Sequence, residues 1–378
     1  MDQVNVVVIG GGVVGCAIAR ALAADHTDVF LLEAQPKLGM LTSTRNSGVI
    51  HSGLYYTPGS LKARHCVRGN PLTYEFCQTH GVPFRQTGKL VVASSESEIP
   101  ELQALAKVGE TNGVEGIRLI DRAAIRAREP HIEGYAALEV PSTGILSSED
   151  LVKAYARVAT DRGAHVLTNS RVERLEPVSG GIRVTSSIGE IETRCLINSA
   201  GLFADEVAAM LGSAMAEHRI YPVRGEYCEL IRSRQDWVRG LVYPLPHPHG
   251  LSLGVHLTKT LHGGVLLGPT ARYVQDKNDY ERDRESVEKF AEGAKALLPH
   301  ITPADLVPAY SGIRPKLTPP AQSASSHGHA SKDAPDFIIQ RDPQFPSVIQ
   351  LMGIESPGLT SAPSIAEHVA ELVKEILN

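Results

Sequence analysis

The first apolar run, Val4 to Ile9 in VNVVVIGGGVVGCAIARALAA, is rich in valine and, interrupted only by Asn5, too continuous to alternate. Such a run predicts a strand buried on both faces, and the small and apolar residues behind the glycines predict a helix. DVFLLEA repeats the apolar pattern and ends its strand at Glu33. From Cys66 to about His80 the spacing predicts a helix, KLVVA a strand, and the acidic stretch Glu96 to Gly113 another helix. Ser147 heads SSEDLVKAYARVATDRG, a capped amphipathic helix, and AHVLTNSRVERLEP, IRVTSSIGEIETR and CLINSAGLFADEVAAML return to alternating strand and helix.

Between Arg219 and Thr270 the pattern changes to short strands punctuated by glycine and proline: YPVRGEYCELI, GLVYPLP, LSLGVHLT and GGVLLGPTA. These predict an antiparallel sheet in a separate domain. SGIRPKL and DFIIQRD read as further strands. The polar, proline-flanked TPPAQSASSHGHASKDAP between them reads as a mobile loop, in which His327 and His329 are too few to hold a metal. VIQLMGIESPGLTSAPSIAEHVAELVKEIL gives a last strand, a Ser-Pro-Gly turn and an amphipathic helix. The class is α/β, or α+β overall. Residues 1–80, 146–215 and 305–378 are expected to form a discontinuous Rossmann-type domain, and 81–145 with 216–304 a substrate-binding domain.

Composition narrows the function classes. The 378 residues carry 37 Lys plus Arg against 42 Asp plus Glu, so no basic surface points to nucleic acid or an anionic membrane. Five cysteines without a CxxC pair indicate neither a zinc site nor a disulfide framework and fit a reducing compartment. Met1-Asp2 starts no basic leader, and the first apolar stretch is broken at Gly10 and Arg20. The expectation is a cytoplasmic protein without a transmembrane segment, with peripheral membrane contact left open.

Gly10, Gly12 and Gly15 fit the G-x-G-x-x-G turn: the first bends the chain, the second admits a pyrophosphate, and the third lets helix and strand pack closely. Glu33 lies eighteen residues after Gly15, at the end of the next strand. A carboxylate there accepts ribose hydroxyls and repels a 2′-phosphate, which favours FAD or NAD over NADP. Val13, Val14 and Ala34 belong to the same expected contacts. Asn198-Ser199-Ala200-Gly201 ends a buried strand and offers a second backbone turn, through Ala200 and Gly201, with Val172 near the adenine.

With these residues laid out, the chain resembles the D-amino-acid-oxidase-like FAD-dependent oxidoreductases, and most closely the L-2-hydroxyglutarate dehydrogenase family. The resemblance runs nearly full length. It rests on IGGGVVG with Glu33, RNSGVIHSGLYYTPGSLKARHCVRG, NSAGLFAD, PVRGEY, GVHLT with LLGP, and GIRPKL with GIESPGLT. Thr270 departs from what the resemblance implies, which is an Asn at that position. The resemblance implies an FAD cofactor, a substrate sheet over the flavin and oxidation of an L-2-hydroxy acid. It further implies that Arg45, Asn46 and Ser47 follow the pyrophosphate while Val49, Ile50, His51 and Ser52 pass beside the isoalloxazine.

Oxidising a hydroxy acid requires a base for the hydroxyl proton, and neutral imidazole suits that task. His256 in the substrate sheet is slightly preferred, with His51 as the competitor or a residue that tunes the flavin. Arg224 in PVRGEY is the first choice for the carboxylate fork, with Arg272 and Arg314 as alternatives, and Lys62 and Tyr56 rank below them. Ser356, Pro357, Gly358, Leu359 and Thr360 precede the last helix, whose amides favour negative charge accumulating on a reduced flavin. The expected substrate is a small hydroxy acid, first L-2-hydroxyglutarate; the acceptor is oxygen, a quinone or an electron-transfer protein. The alternatives are an amino-acid or glycerol-3-phosphate oxidoreductase on the same fold, and a flavin-binding module without turnover.

Overall fold

The valine-rich strand Gln3–Ile9 sits at the centre of a parallel layer, between Val29–Leu32 and the C-terminal half of Gly189–Asn198. The computed structural model describes residues 3–246, 254–320 and 335–378. His165–Leu167 extends this layer beyond Val29–Leu32, and Val348–Met352 pairs in parallel with Leu196 to Asn198. Strand Gly189–Asn198 divides its outer edge: the first half pairs antiparallel with Gly181–Ser186, the second with Val348–Met352.

Helices Val13–Leu22, Ser148–Asp161 and Gly358–Leu377 cover one face of the parallel layer through Cys16, Ile18, Leu22, Val152, Tyr155, Ile365 and Val369. Each such large aliphatic side chain withdrawn from water contributes about 1.5–3 kcal/mol before conformational entropy is set against it. Helix Leu61–His80 packs on Gly358–Leu377, capped at its start by the Ser60 hydroxyl, which accepts from Ala63 N–H at 3.1 Å. The predicted helix therefore begins earlier than Cys66, because the cap residue precedes its apolar positions. Ser147 caps Ser148–Asp161 as expected, accepting from Asp150 N–H at 3.3 Å.

A nine-stranded sheet forms the second layer. Tyr221–Leu230 pairs along one edge with Leu306–Lys316 and along the other with Arg272–Tyr273 and Val265–Gly268. The order continues through His256–Lys259, Leu241–Pro244, Lys89–Ala93, Ala136–Val140 and Arg118–Asp121. All pairings are antiparallel except that of Leu241–Pro244 with Lys89–Ala93. One expectation needs correcting: Leu306–Lys316, grouped by sequence with the nucleotide segments, belongs to this sheet, since its ladder with Tyr221–Leu230 runs from Leu306 to Lys316. The segment's GIRPKL motif reaches the nucleotide side by lying at the seam. His327 and His329, in the stretch read as a loop, fall outside the described residues.

Candidate active site

A cleft at the seam between the two layers is lined both by Glu33 and the glycine turn and by His256 and Arg314. At the glycine turn, Gly10 adopts φ +105°, and a Cβ there would stand 2.6 Å from the Ser199 carbonyl oxygen. A Cβ on Gly15 would meet the Gly10 carbonyl oxygen at 1.9 Å, so only glycine lets the helix close on the strand. Gly12 stands at the N-cap of Val13–Leu22, and Val13 N–H donates to the Ser43 hydroxyl at 2.9 Å. Gly10, Gly12, Val13 and Val14 face the cleft, as do Ala200 and Gly201 from the second turn.

Glu33 is held by two amides: Gly11 N–H donates to Oε2 and Gln35 N–H to Oε1, each at 2.7 Å. Desolvation raises its pKa, and those amide hydrogen bonds oppose the rise. Both oxygens retain lone pairs toward the cleft, so an adenosine ribose can be accepted. The wide glycine turn, the helix N-terminus and this carboxylate together fit an FAD.

The loop Arg45 to Ser52 forms the middle wall. Asn46 Nδ2 donates to the carbonyls of Thr42 and Ser43 at 3.1 and 2.7 Å, while its Oδ1 accepts from Gly48 N–H at 2.9 Å. The Arg45 guanidinium lies 4.3 Å from the Tyr280 ring centroid. Thr42 donates to the Ile313 carbonyl and Tyr310 to the Asn46 carbonyl, both at 2.8 Å, which fastens this loop to the nine-stranded sheet. Arg45, Asn46, Ser47, Val49 and His51 all line the cleft. His51 is anchored to the last helix: its N–H donates to the Thr360 hydroxyl at 2.9 Å, and its Nε2 lies 3.3 Å from Ser356 Oγ. Ser356, Pro357, Gly358 and Leu359 complete that wall.

The nine-stranded sheet presents Gly225, Tyr227, Tyr243, His256 and Arg314 on its side of the cleft. The His256 imidazole is stacked on Tyr243, with centroids 3.6 Å apart and planes at 11°. Arg314 lies across the ladder from Val223 and, among the described residues, makes one long hydrogen bond, to the Thr270 carbonyl at 3.4 Å. A charged group beside it joins Lys62, Glu355 and Lys316: Glu355 lies 3.1 Å from the Lys62 ammonium and 3.6 Å from that of Lys316. Glu355 pulls the Lys316 pKa up, but desolvation and the cations Arg314 and Lys62 outweigh it and leave Lys316 below its ordinary value.

Several expected contacts lie elsewhere. Arg224 is fully buried outside the cleft, and its donors are spent: Nε bonds Glu226 at 2.9 Å, one terminal nitrogen bonds Asp279, and the other the carbonyls of Arg282 and Asp283. Alternation along Tyr221–Leu230 turns it away from Gly225 and Tyr227, so it cannot grip a substrate in the cleft. Arg272 is exposed and donates to the Asp283 carbonyl. Val172 is packed among Val4, Val7 and Leu32, not against the cleft. Gly15, Ala34, Ile50 and Thr360 also stand outside the lining, Ile50 in the core and Thr360 as the hydroxyl that holds His51. Tyr56 is buried, hydrogen-bonded to Ser356, and burial raises its pKa. Sequence reading passed over Ser43, Tyr227, Tyr243, Lys316 and Glu355. The polar run Thr42-Ser43-Thr44 was a usable signal for the first; the aromatic residues looked like ordinary strand core.

A dinucleotide cleft roofed by an antiparallel sheet defines the class, and the family described as "FAD dependent oxidoreductase" matches residues 5–372. L-2-hydroxyglutarate dehydrogenase, mitochondrial, from Arabidopsis thaliana is 35% identical, over 98% of this chain and 83% of that protein. L-2-hydroxyglutarate dehydrogenase from Indibacter alkaliphilus is 32% identical, over 97% of this chain and 98% of its own length. Among solved structures, the dithionite-reduced, FAD-bound L-α-glycerophosphate oxidase from Mycoplasma pneumoniae superposes with a TM-score of 0.87 at 26% identity, covering 99% of this chain and 95% of that one. The chain belongs to the FAD-dependent oxidoreductases and, within them, to the family of the L-2-hydroxyglutarate dehydrogenases.

Proposed function

We propose that this protein oxidises an L-2-hydroxy acid to the 2-oxo acid, with L-2-hydroxyglutarate as its substrate. The observation that carries the reading is one continuous cleft joining the glycine turn and Glu33 to a wall bearing His256 and Arg314. The names of the relatives supply the substrate.

FAD, when bound, supplies the acceptor for the hydride that leaves the α-carbon. Gly10, Gly12, Val13 and Val14 would hold its phosphates, Glu33 its ribose, and the loop from Arg45 to His51 its flavin half. Two bonds of the substrate break, Cα–H and O–H, and a carbonyl forms. His256 takes the hydroxyl proton at an imidazole nitrogen, and its stack on Tyr243 fixes the ring plane in which that proton arrives. Arg314 binds the carboxylate through a planar fork, since it alone of the three candidate arginines faces the cleft. His51, tied to Ser356 and Thr360, orients the wall opposite. The amides of Gly358 and Leu359 begin a 20-residue helix and favour negative charge on a reduced ring.

Among the described residues no helix is long and apolar enough to cross a membrane. The test is anaerobic titration of the yellow protein with L-2-hydroxyglutarate, L-lactate, glycerol 3-phosphate and an L-amino acid. Bleaching by the dicarboxylate with formation of 2-oxoglutarate is expected. Bleaching by the phosphate or the amine alone would move the protein to another activity of the same fold.

A further inference from the structure

Lys89 is a fully buried ammonium outside the site just described. It opens strand Lys89–Ala93, and no carboxylate among the described residues pairs with it. Its Nζ lies 4.3 Å from the Tyr55 ring centroid and 5.0 Å from that of Tyr243. The register explains where it points. Leu241 is opposite Lys89 on one side and opposite Thr258 on the other, so Lys89, Leu241, Tyr243, His256 and Thr258 share one face of three adjacent strands. Tyr243, on the middle strand, therefore stands between His256 on one neighbour and Lys89 on the other. The imidazole already covers one face of the phenol ring at 3.6 Å, which leaves the opposite face to the ammonium.

We propose that Lys89 is a positioning residue for His256, acting through Tyr243: its cation–π contact fixes the ring on which the imidazole stacks, and its charge keeps that imidazole neutral and ready to accept a proton. This rests on the reading of His256 as the base. Two like charges separated by one aromatic ring in a dry interior disfavour each other, so a protonated Lys89 lowers the proton affinity of His256. The titratable groups facing Lys89 are Tyr55, Tyr243 and Cys66; burial raises the pKa of all three, so they are protonated and uncharged at neutral pH. His256 faces Tyr243 and the cleft, whose charged and titratable lining includes Arg45, His51, Tyr227, Arg314, Lys316 and Glu355. Those groups are unchanged when Lys89 alone is substituted. Burial drives Lys89 itself down to about 7, which leaves it largely charged over the acidic range in which an ordinary histidine titrates.

The experiment follows the His256 imidazole by nitrogen-15 NMR in the FAD-loaded, substrate-free protein, its signal assigned with His256→Gln, alongside the pH profile of kcat/KM. Lys89→Met should raise the His256 titration midpoint by about 1 pH unit and shift the acid limb of kcat/KM equally, with FAD content retained. Lys89→Arg, which keeps a cation over the rings, should restore the wild-type midpoint. Lys89→Gln provides the neutral variant should methionine disturb packing. An unmoved midpoint in the neutral variants, or equal shifts in Met and Arg, would overturn the proposal. If the midpoint moves yet His256→Gln leaves turnover intact, it is the base assignment that fails and the Lys89 coupling that survives.

Discussion

The two faces of strand Tyr221–Leu230 use the same PVRGEY motif for opposite ends. Toward the cleft it shows Gly225 and Tyr227, with Arg314 close by across the ladder from Val223; away from it, Arg224 and Glu226 are sealed with Asp279 and the backbone of Arg282 and Asp283. Arg224 has its guanidinium fully engaged, whereas Arg314, among the described residues, makes a single long bond and has most of its donors left over. What separates a structural arginine from a binding one is thus how many donors the fold has already used, not the motif around it.

The widest separation between the faces should come from His256→Ala, which loses about 10² to 10⁴ in turnover while keeping its FAD, measured by anaerobic flavin reduction and flavin content. On the far face, Arg224→Met removes the 2.9 Å partner of buried Glu226, leaving it the Glu285 amide and Arg284 at 3.6 Å, and should cost up to about 3–5 kcal/mol of stability by chemical denaturation, with kcat/KM of the surviving folded enzyme near wild type. Selective loss of activity without destabilisation would restore Arg224 to the cleft. Arg314→Lys keeps the charge but loses the planar fork and should cost roughly 1–3 kcal/mol in kcat/KM, with unaltered stability.

The smallest effect is on stability at Lys89. Its folded pKa, about 7, lies below the ordinary 10.5, so the unfolded chain binds the extra proton between those values and stability rises with pH across that window. The cost is fully present below about pH 7 and disappears above about pH 10.5. Lys89→Met removes it, and thermal melts should show a Tm gain of a few degrees at pH 6 to 7 that shrinks toward pH 10. A gain independent of pH would mean that packing, not charge burial, produced it.

The nucleotide half was legible because its requirements are local. Gly10, Gly12 and Gly15 mark a backbone path that side chains would block, and Glu33 ends the adjacent strand in the same short βαβ stretch. The substrate half depends on strand register over long separations, which no short motif records. The sequence favours Arg224, in PVRGEY, over Arg314, and only the ladder between Val223 and Arg314 shows that the second of the two faces the cleft. Lys89 lies in KLVVA, a strand whose five residues are all buried, and nothing local marks its ammonium as the far side of the Tyr243–His256 stack. Leu306–Lys316 was misgrouped for the same reason: its partner is Tyr221–Leu230, distant in sequence and joined only through the fold.

Whether the cleft-facing side of the large sheet carries hydride-transfer chemistry on a hydroxy acid is read from the rate of anaerobic flavin bleaching with L-2-hydroxyglutarate bearing hydrogen or deuterium at the α-carbon. Hydride transfer to the flavin should give bleaching by both, slower for the deuterated acid, and in each case far slower in His256→Ala than in wild type. Absence of bleaching by this acid, or bleaching at the wild-type rate in His256→Ala, would contradict it.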